Sequence, residues 1–230
     1  METMAHDQPT PLSGRQRALS LIEFAIGGFF VVGHNLFHIV PNEVPILFVL
    51  GVASIRLRSG NWRAIGLRPP KSWRVTVGVA LVTAVVVIAA GQWVTDPLAR
   101  AIGLRAAKSA GVALGQHRGD PLVLAKALIL TWTFAAFGEE IGYRRYLLGR
   151  AADVGGGGWL AHWIALIAVS ALFSVGHAYQ GPAGMFTTAC DGLMIGAAYL
   201  LCKRNLWVAV IAHGLIDTIA FGAVFLGIAN

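Results

Sequence analysis

The chain has 230 residues, of which 56% are hydrophobic and 13% charged, and its mean hydropathy is +0.66. Soluble domains carry charge on about 25% of their residues, so this composition excludes an ordinary soluble protein, while the lack of alternating apolar and polar residues excludes an outer-membrane barrel. The net charge of +7 does not point to nucleic acid, because the basic residues lie in loops between apolar runs and form no cationic stretch interleaved with aromatics.

The predicted fold class is all-α: a polytopic transmembrane helical bundle of about seven spans, with six to eight as the range. Residues 1–17 read as a polar tail, and no signal-peptide cleavage pattern follows it. Residues 18–230 read as one transmembrane domain. The first span runs from about Ala18 to Val40 and stops at Pro41. The run from Val44 to Ile55 is short for a full crossing, which suggests a tilted or re-entrant helix. The next loop carries Arg56, Arg58, Arg63, Arg68, Lys71 and Arg74 and no acid. It is expected to be cytoplasmic. Val75 to Val94 is the cleanest span. Residues 95–120 are mixed, with Asp96, Arg100, Arg105, Lys108, Arg118 and Asp120, and read as a loop with a partial surface helix.

Pro121 opens an apolar helix reaching Phe137, followed by Gly138, two glutamates and an amphipathic stretch to about Ala152. Gly155 to Gly158 form a glycine hinge. Trp159 to Val175 is a span without a formal charge. After a turn at Tyr179 to Pro182, Met185 to Leu201 is a span holding Asp191 and Gly192-x-x-x-Gly196, a spacing that permits close helix approach. Lys203 and Arg204 make a basic turn, expected on the same side as the 56–74 loop. Trp207 to Ile228 is the last span. An odd number of spans then places the N-terminus inside and the C-terminus outside. Cys190 and Cys202 form neither a disulfide framework nor a metal motif and read as packing thiols.

Ionisable residues in lipid are costly, and each is by default a candidate functional group. Glu139 and Glu140 are adjacent, so on an α-helix they point in different directions and are not expected to share a partner. Glu140 and Arg144 are spaced for an ion pair, which leaves Glu139 free to face the bundle interior as a general base. His177 follows Phe173 at the end of a span. His213 and Asp217 share one face of the last span, where the carboxylate can orient the imidazole or stabilise its charge. Depth raises a difficulty. In plain antiparallel helices starting at Pro121 and Trp159, Glu139 and His177 would differ in depth by roughly 10–15 Å. A helix break at Gly138 is therefore expected. His34 and His38, with Glu139, His177 and His213, offer the residue types of a zinc site, but no HExxH is present. The expectation is no metal and no cofactor.

The order and spacing of Glu139-Glu140-x-x-x-Arg144, Phe173-x-x-x-His177 and His213-x-x-x-Asp217 resemble the CAAX protease and bacteriocin-processing (ABI) family, which includes the Ras-converting prenyl-protein endopeptidase. His177-Ala-Tyr-Gln-Gly181 and Asn205-Leu-Trp207 add to the likeness, which spans about residues 121–225. The resemblance implies a glutamate-dependent intramembrane endopeptidase that acts on a peptide or protein in or at the bilayer. In it Glu139 and His177 would activate a water, His213 and Asp217 would stabilise the oxyanion or steady the site, and Glu140, Arg144 and Phe173 would support it. Asp217 departs from the Asn frequent in the family, because an ionised carboxylate repels an oxyanion that an amide would bind. A prenylated tail, a peptide precursor and a bacteriocin all remain open as substrates. A bacterial inner membrane is the expected location. Alternative readings are a zinc-dependent form of the same protease, or a non-catalytic immunity factor, scaffold or small transporter. A transporter would show helix breaks in two repeated halves, and no such repeat is visible.

Overall fold

The computed structural model describes residues 12–107 and 115–228. Most of the expected tail and Lys108 lie outside the described residues. Within them the chain is helical, with no strand. Seven helices carry the architecture: α1 Gly14–Asn35, α2 Glu43–Ser59, α3 Trp73–Ala101, α4 Pro121–Val154, α5 Trp159–Val175, α6 Gly181–Leu201 and α7 Leu206–Phe225. Five of them, α1, α3, α4, α6 and α7, are long and apolar enough to cross a membrane, the α6 span including the short turn from Ala178. The shorter α2 and α5 complete a polytopic bundle of about seven. Exposed Val, Leu, Ile and Phe side chains cover its outer surface, as expected of helices that face lipid.

Most helix starts are written in the sequence. Ser13 and Gln16 form a capping box that opens α1 at Gly14, ahead of the expected Ala18. Asn42, Ser72, Asp120 and Asn205 cap the first turns of α2, α3, α4 and α7. Asp120 is followed by Pro121, which suits the first helical position because its missing N–H would have no partner there. Gly156 and Gly157 have φ of 91° and 76°. They turn the chain sharply between α4 and α5.

The expected break at Gly138 does not occur. Helix α4 is continuous for 34 residues, and its winding over Thr131–Leu147 is of the π type. The depth difficulty came from measuring both helices at their N-termini, which lie at opposite ends of the pair. From the shared turn, at ~1.5 Å per residue, Glu139 lies roughly 22 Å before Val154 and His177 roughly 27 Å past Trp159. The two levels agree to about one helical turn without a break.

The core lies where α2, α5 and α7 surround the middle of α4. Glycine sets the spacing of α2 against α4. A Cβ on Gly51 would stand 2.9 Å from Tyr146 Cβ, and one on Gly142 would stand 3.0 Å from Leu47 Cβ. Gly192 and Gly196 play the same part between α6 and α5, against Phe173 and Leu166. At one end of the bundle, Glu23 on α1 binds Arg58 at 2.8 Å and Arg150 at 2.7 Å, and also accepts from Ser54. Asp153 extends this network to Arg150 at 2.8 Å and Ser20 at 3.1 Å. The network ties α1, α2 and the end of α4 together.

Gly51→Val is expected to destabilise the protein by ~1–3 kcal/mol through overpacking against Tyr146. Gly78→Val, whose Cβ would meet nothing within 4 Å, serves as the matched control. Thermal unfolding of both variants in detergent checks this.

Candidate active site

The residues singled out in the sequence converge at the middle of the bundle. Glu140 is fully buried and Arg144 is 2% exposed. Arg144 Nη1 lies 3.1 Å from Glu140 Oε1. The same oxygen accepts from His213 Nδ1 at 2.8 Å. One carboxylate therefore holds both a guanidinium from its own helix and an imidazole from α7. Arg144 also reaches the Gly192 carbonyl on α6 at 3.5 Å, and its guanidinium carbon lies 4.3 Å from the centroid of the Phe173 ring on α5. Four helices thus meet through two charged side chains.

The Phe173 ring is the apolar floor of this cluster. Tyr143 packs edge-on against it at 5.2 Å, His177 lies at 4.6 Å and His213 at 6.1 Å. His177 follows the end of α5, and its Nδ1 lies 2.9 Å from the Phe173 carbonyl. That contact requires the proton on Nδ1 and leaves Nε2 as an acceptor. His213 differs, because each of its nitrogens faces a carboxylate. Asp217 Oδ2 stands 3.6 Å from its Nε2. The imidazolium is the form that can donate on both sides.

Glu139 makes no hydrogen bond or ion pair with the described residues, and its Oε2 is buried. It nonetheless lies within electrostatic reach of His213, Asp217 and Arg144. Only Glu140 contacts His213, and Glu139 influences that imidazole at longer range. Asp191, one residue before the Gly192 carbonyl that Arg144 reaches, also lies within reach of His213.

Two residues had no place in the sequence reading of the site. Glu43, on α2, is 4% exposed. It accepts from Asn35 at 2.9 Å and lies 3.8 Å from His34. A Cβ on Gly176 would stand 2.9 Å from the Tyr143 hydroxyl and 3.4 Å from Glu43 Oε1. Glu43 and Tyr143 thus brace the turn that carries His177. Tyr143 stands inside the first motif, and a Glu at the head of an apolar run was the available signal for Glu43. His34 also contacts the Val40 carbonyl at 3.1 Å, while His38 is exposed. Neither joins the central cluster. No group of three His, Cys, Asp or Glu side chains among the described residues is arranged to hold a metal.

Residues 121–219 match the family model described as type II CAAX prenyl endopeptidase Rce1-like. Over these residues the chain is similar to the Rce1-like family. The match begins at Pro121 of α4 and includes Asp217 of α7, so it takes in every member of the cluster described above. No match was found among the curated proteins or among the solved structures. This similarity and the five long apolar helices together support a multi-pass membrane protein.

The buried Glu140–Arg144 pair carries a stability consequence. Glu140→Leu strands the Arg144 guanidinium and is expected to cost ~3–5 kcal/mol, whereas removing both charges in Glu140→Leu/Arg144→Met costs less than the single change. Denaturation of the two variants in detergent compares them directly.

Proposed function

We propose that the protein is an intramembrane endopeptidase in which Glu139 and His177 activate a water for attack on a peptide carbonyl. The observation that carries this reading is the contrast between the two glutamates. Glu140 is engaged through Oε1 by Arg144 and His213, while Glu139, on the same turn, has no hydrogen-bond or ion-pair partner among the described residues. His177 likewise has Nδ1 engaged and Nε2 open. A carboxylate and an imidazole acceptor, both left unengaged beside a cationic centre, suit the polarisation of water.

In the proposed sequence Glu139 takes a proton from the water, and the hydroxide attacks the carbonyl carbon. His213 donates from Nε2 to the developing oxyanion while Glu140 holds Nδ1. The proton held by Glu139 then passes to the leaving amine as the C–N bond breaks. Donors fixed in a low-dielectric site stabilise the oxyanion more than they would in bulk water. Asp217 is assigned to the charge of His213 rather than to the oxyanion, because the carboxylate approaches Nε2 and would repel a second negative charge. No metal enters this sequence. The substrate is a peptide or protein segment reached from the bilayer, and the helical bundle with its cationic loops fits a bacterial cell membrane.

The test is proteolysis by purified protein in liposomes. Glu139→Gln is expected to lower the rate by at least ~100-fold, as for loss of a general base. His177→Ala should fall comparably, and His213→Ala by ~100–1000-fold, as for loss of an oxyanion donor. Wild-type cleavage rates in all three would sink the proposal. Activity should survive exhaustive chelation; abolition that is reversed by zinc would establish the metal-dependent form instead. Asp217→Asn is expected to reduce the rate, and a retained or raised rate would assign it a donor role.

A further inference from the structure

Away from the Glu140–His213 cluster, a recess of about 840 Å³ opens at one end of the bundle. Arg63, Arg68, Lys71, Arg145, Lys203 and Arg204 line it. These cations come from three separate parts of the chain: the loop before α3, the middle of α4 and the turn between α6 and α7. Among the described residues none of the six forms an ion pair with a carboxylate, although Arg204 contacts His162 at 3.1 Å. Elsewhere at the bundle end the chain neutralises its guanidiniums, as with Arg58 and Arg150 on Glu23 and Asp153. Here six cationic side chains line a concave space without a paired carboxylate among the described residues.

The surroundings fix the level and the shape of the recess. Trp73 and Trp207 pack at 5.4 Å beside it, and Trp207 Nε1 donates to the Arg68 carbonyl at 3.1 Å. Tryptophans at span ends mark the headgroup level of a bilayer. The wall of the recess continues along the membrane-facing side as Val75, 64% exposed, and Leu201, 73% exposed. A cationic chamber at headgroup depth therefore opens onto an apolar surface at chain depth. The positive-inside rule accounts for basic loops on one face, but not for their convergence around a cavity with an apolar exit.

We propose that this recess is a binding site for the phosphate headgroup of an anionic phospholipid, whose acyl chains lie along Val75 and Leu201. Arg68 and Arg145 each spend part of their donor capacity on the backbone carbonyls of Arg63 and Ala64. That orients the guanidiniums and leaves further N–H groups for phosphate oxygens. Lys71 and Lys203 contribute point charges. Helix α7 starts at this recess, so an occupied headgroup would lie about 10 Å below His213 along the same helix. The proposal does not depend on the catalytic reading, and its test does not use proteolysis.

The full-length protein is reconstituted in nanodiscs of phosphatidylcholine with graded phosphatidylglycerol, and bound lipid is counted by native mass spectrometry. Arg68→Gln/Lys71→Gln/Lys203→Gln is compared with Arg15→Gln/Arg100→Gln/Lys126→Gln, which removes the same charge outside the recess. At ~1 kcal/mol per cation near a lipid surface, the recess variant should bind phosphatidylglycerol on the order of 100-fold more weakly. The control variant should match wild type, and both should unfold at the wild-type temperature in pure phosphatidylcholine. Equal loss in both variants, or no loss in the recess variant, overturns the site. An inorganic phosphate arm separates the sources: millimolar phosphate that displaces the lipid assigns the recess to free phosphate, whereas lipid retained against it assigns it to the lipid. Displacement by a micromolar acidic peptide, with phosphate inert, would overturn the lipid assignment in favour of a peptide site.

Discussion

Glu140 and Arg144 carry opposite full charges in the interior of a helix that crosses lipid, and neither is reached by solvent. Such a pair persists only if each charge is satisfied by well-placed neighbours. The neighbours are what bring the bundle together. His213 comes from α7, the Gly192 carbonyl from α6 and the Phe173 face from α5. The requirement to satisfy two buried charges thus fixes where four helices stand relative to one another. The glycines at the α2–α4 and α5–α6 contacts let the backbones approach closely enough to meet it.

That arrangement also separates structural charge from reactive charge. Side by side in the sequence, Glu139 and Glu140 have opposite fates. One is tied into the framework through Oε1, and the other has no partner among the described residues in a place where an unsatisfied carboxylate is costly. The histidines divide in the same way. His213 is held at both nitrogens by carboxylates, while His177 is fixed through Nδ1 with its other nitrogen open. Rigid groups next to unengaged ones are the arrangement that preorganised chemistry requires.

Much of this was legible from residue type and spacing. Apolar runs marked the spans, and the i, i+4 spacing of Glu140 and Arg144 pointed to their contact. The misreadings have physical causes. Phe137 was read as a helix end because charged residues follow it, yet α4 continues once those charges find partners on other helices. Glu43 was passed over because its burial depends on packing: Asn35 reaches it across the turn between α1 and α2, and the Tyr143 side comes from a helix far along the chain.

The unequal lengths of two neighbouring helices have a further mechanical meaning. Helix α4 has 34 residues and α5 has 17, which at ~1.5 Å per residue is roughly 51 Å against 25 Å. A hydrocarbon layer ~30 Å thick matches neither. The long helix must lean or project beyond the lipid, and the short one draws the bilayer surface inward at its ends. His177 stands just past the end of the short helix. A bilayer that adapts to the short helix thins at its ends, and a polar peptide bond next to His177 then has less hydrocarbon to cross.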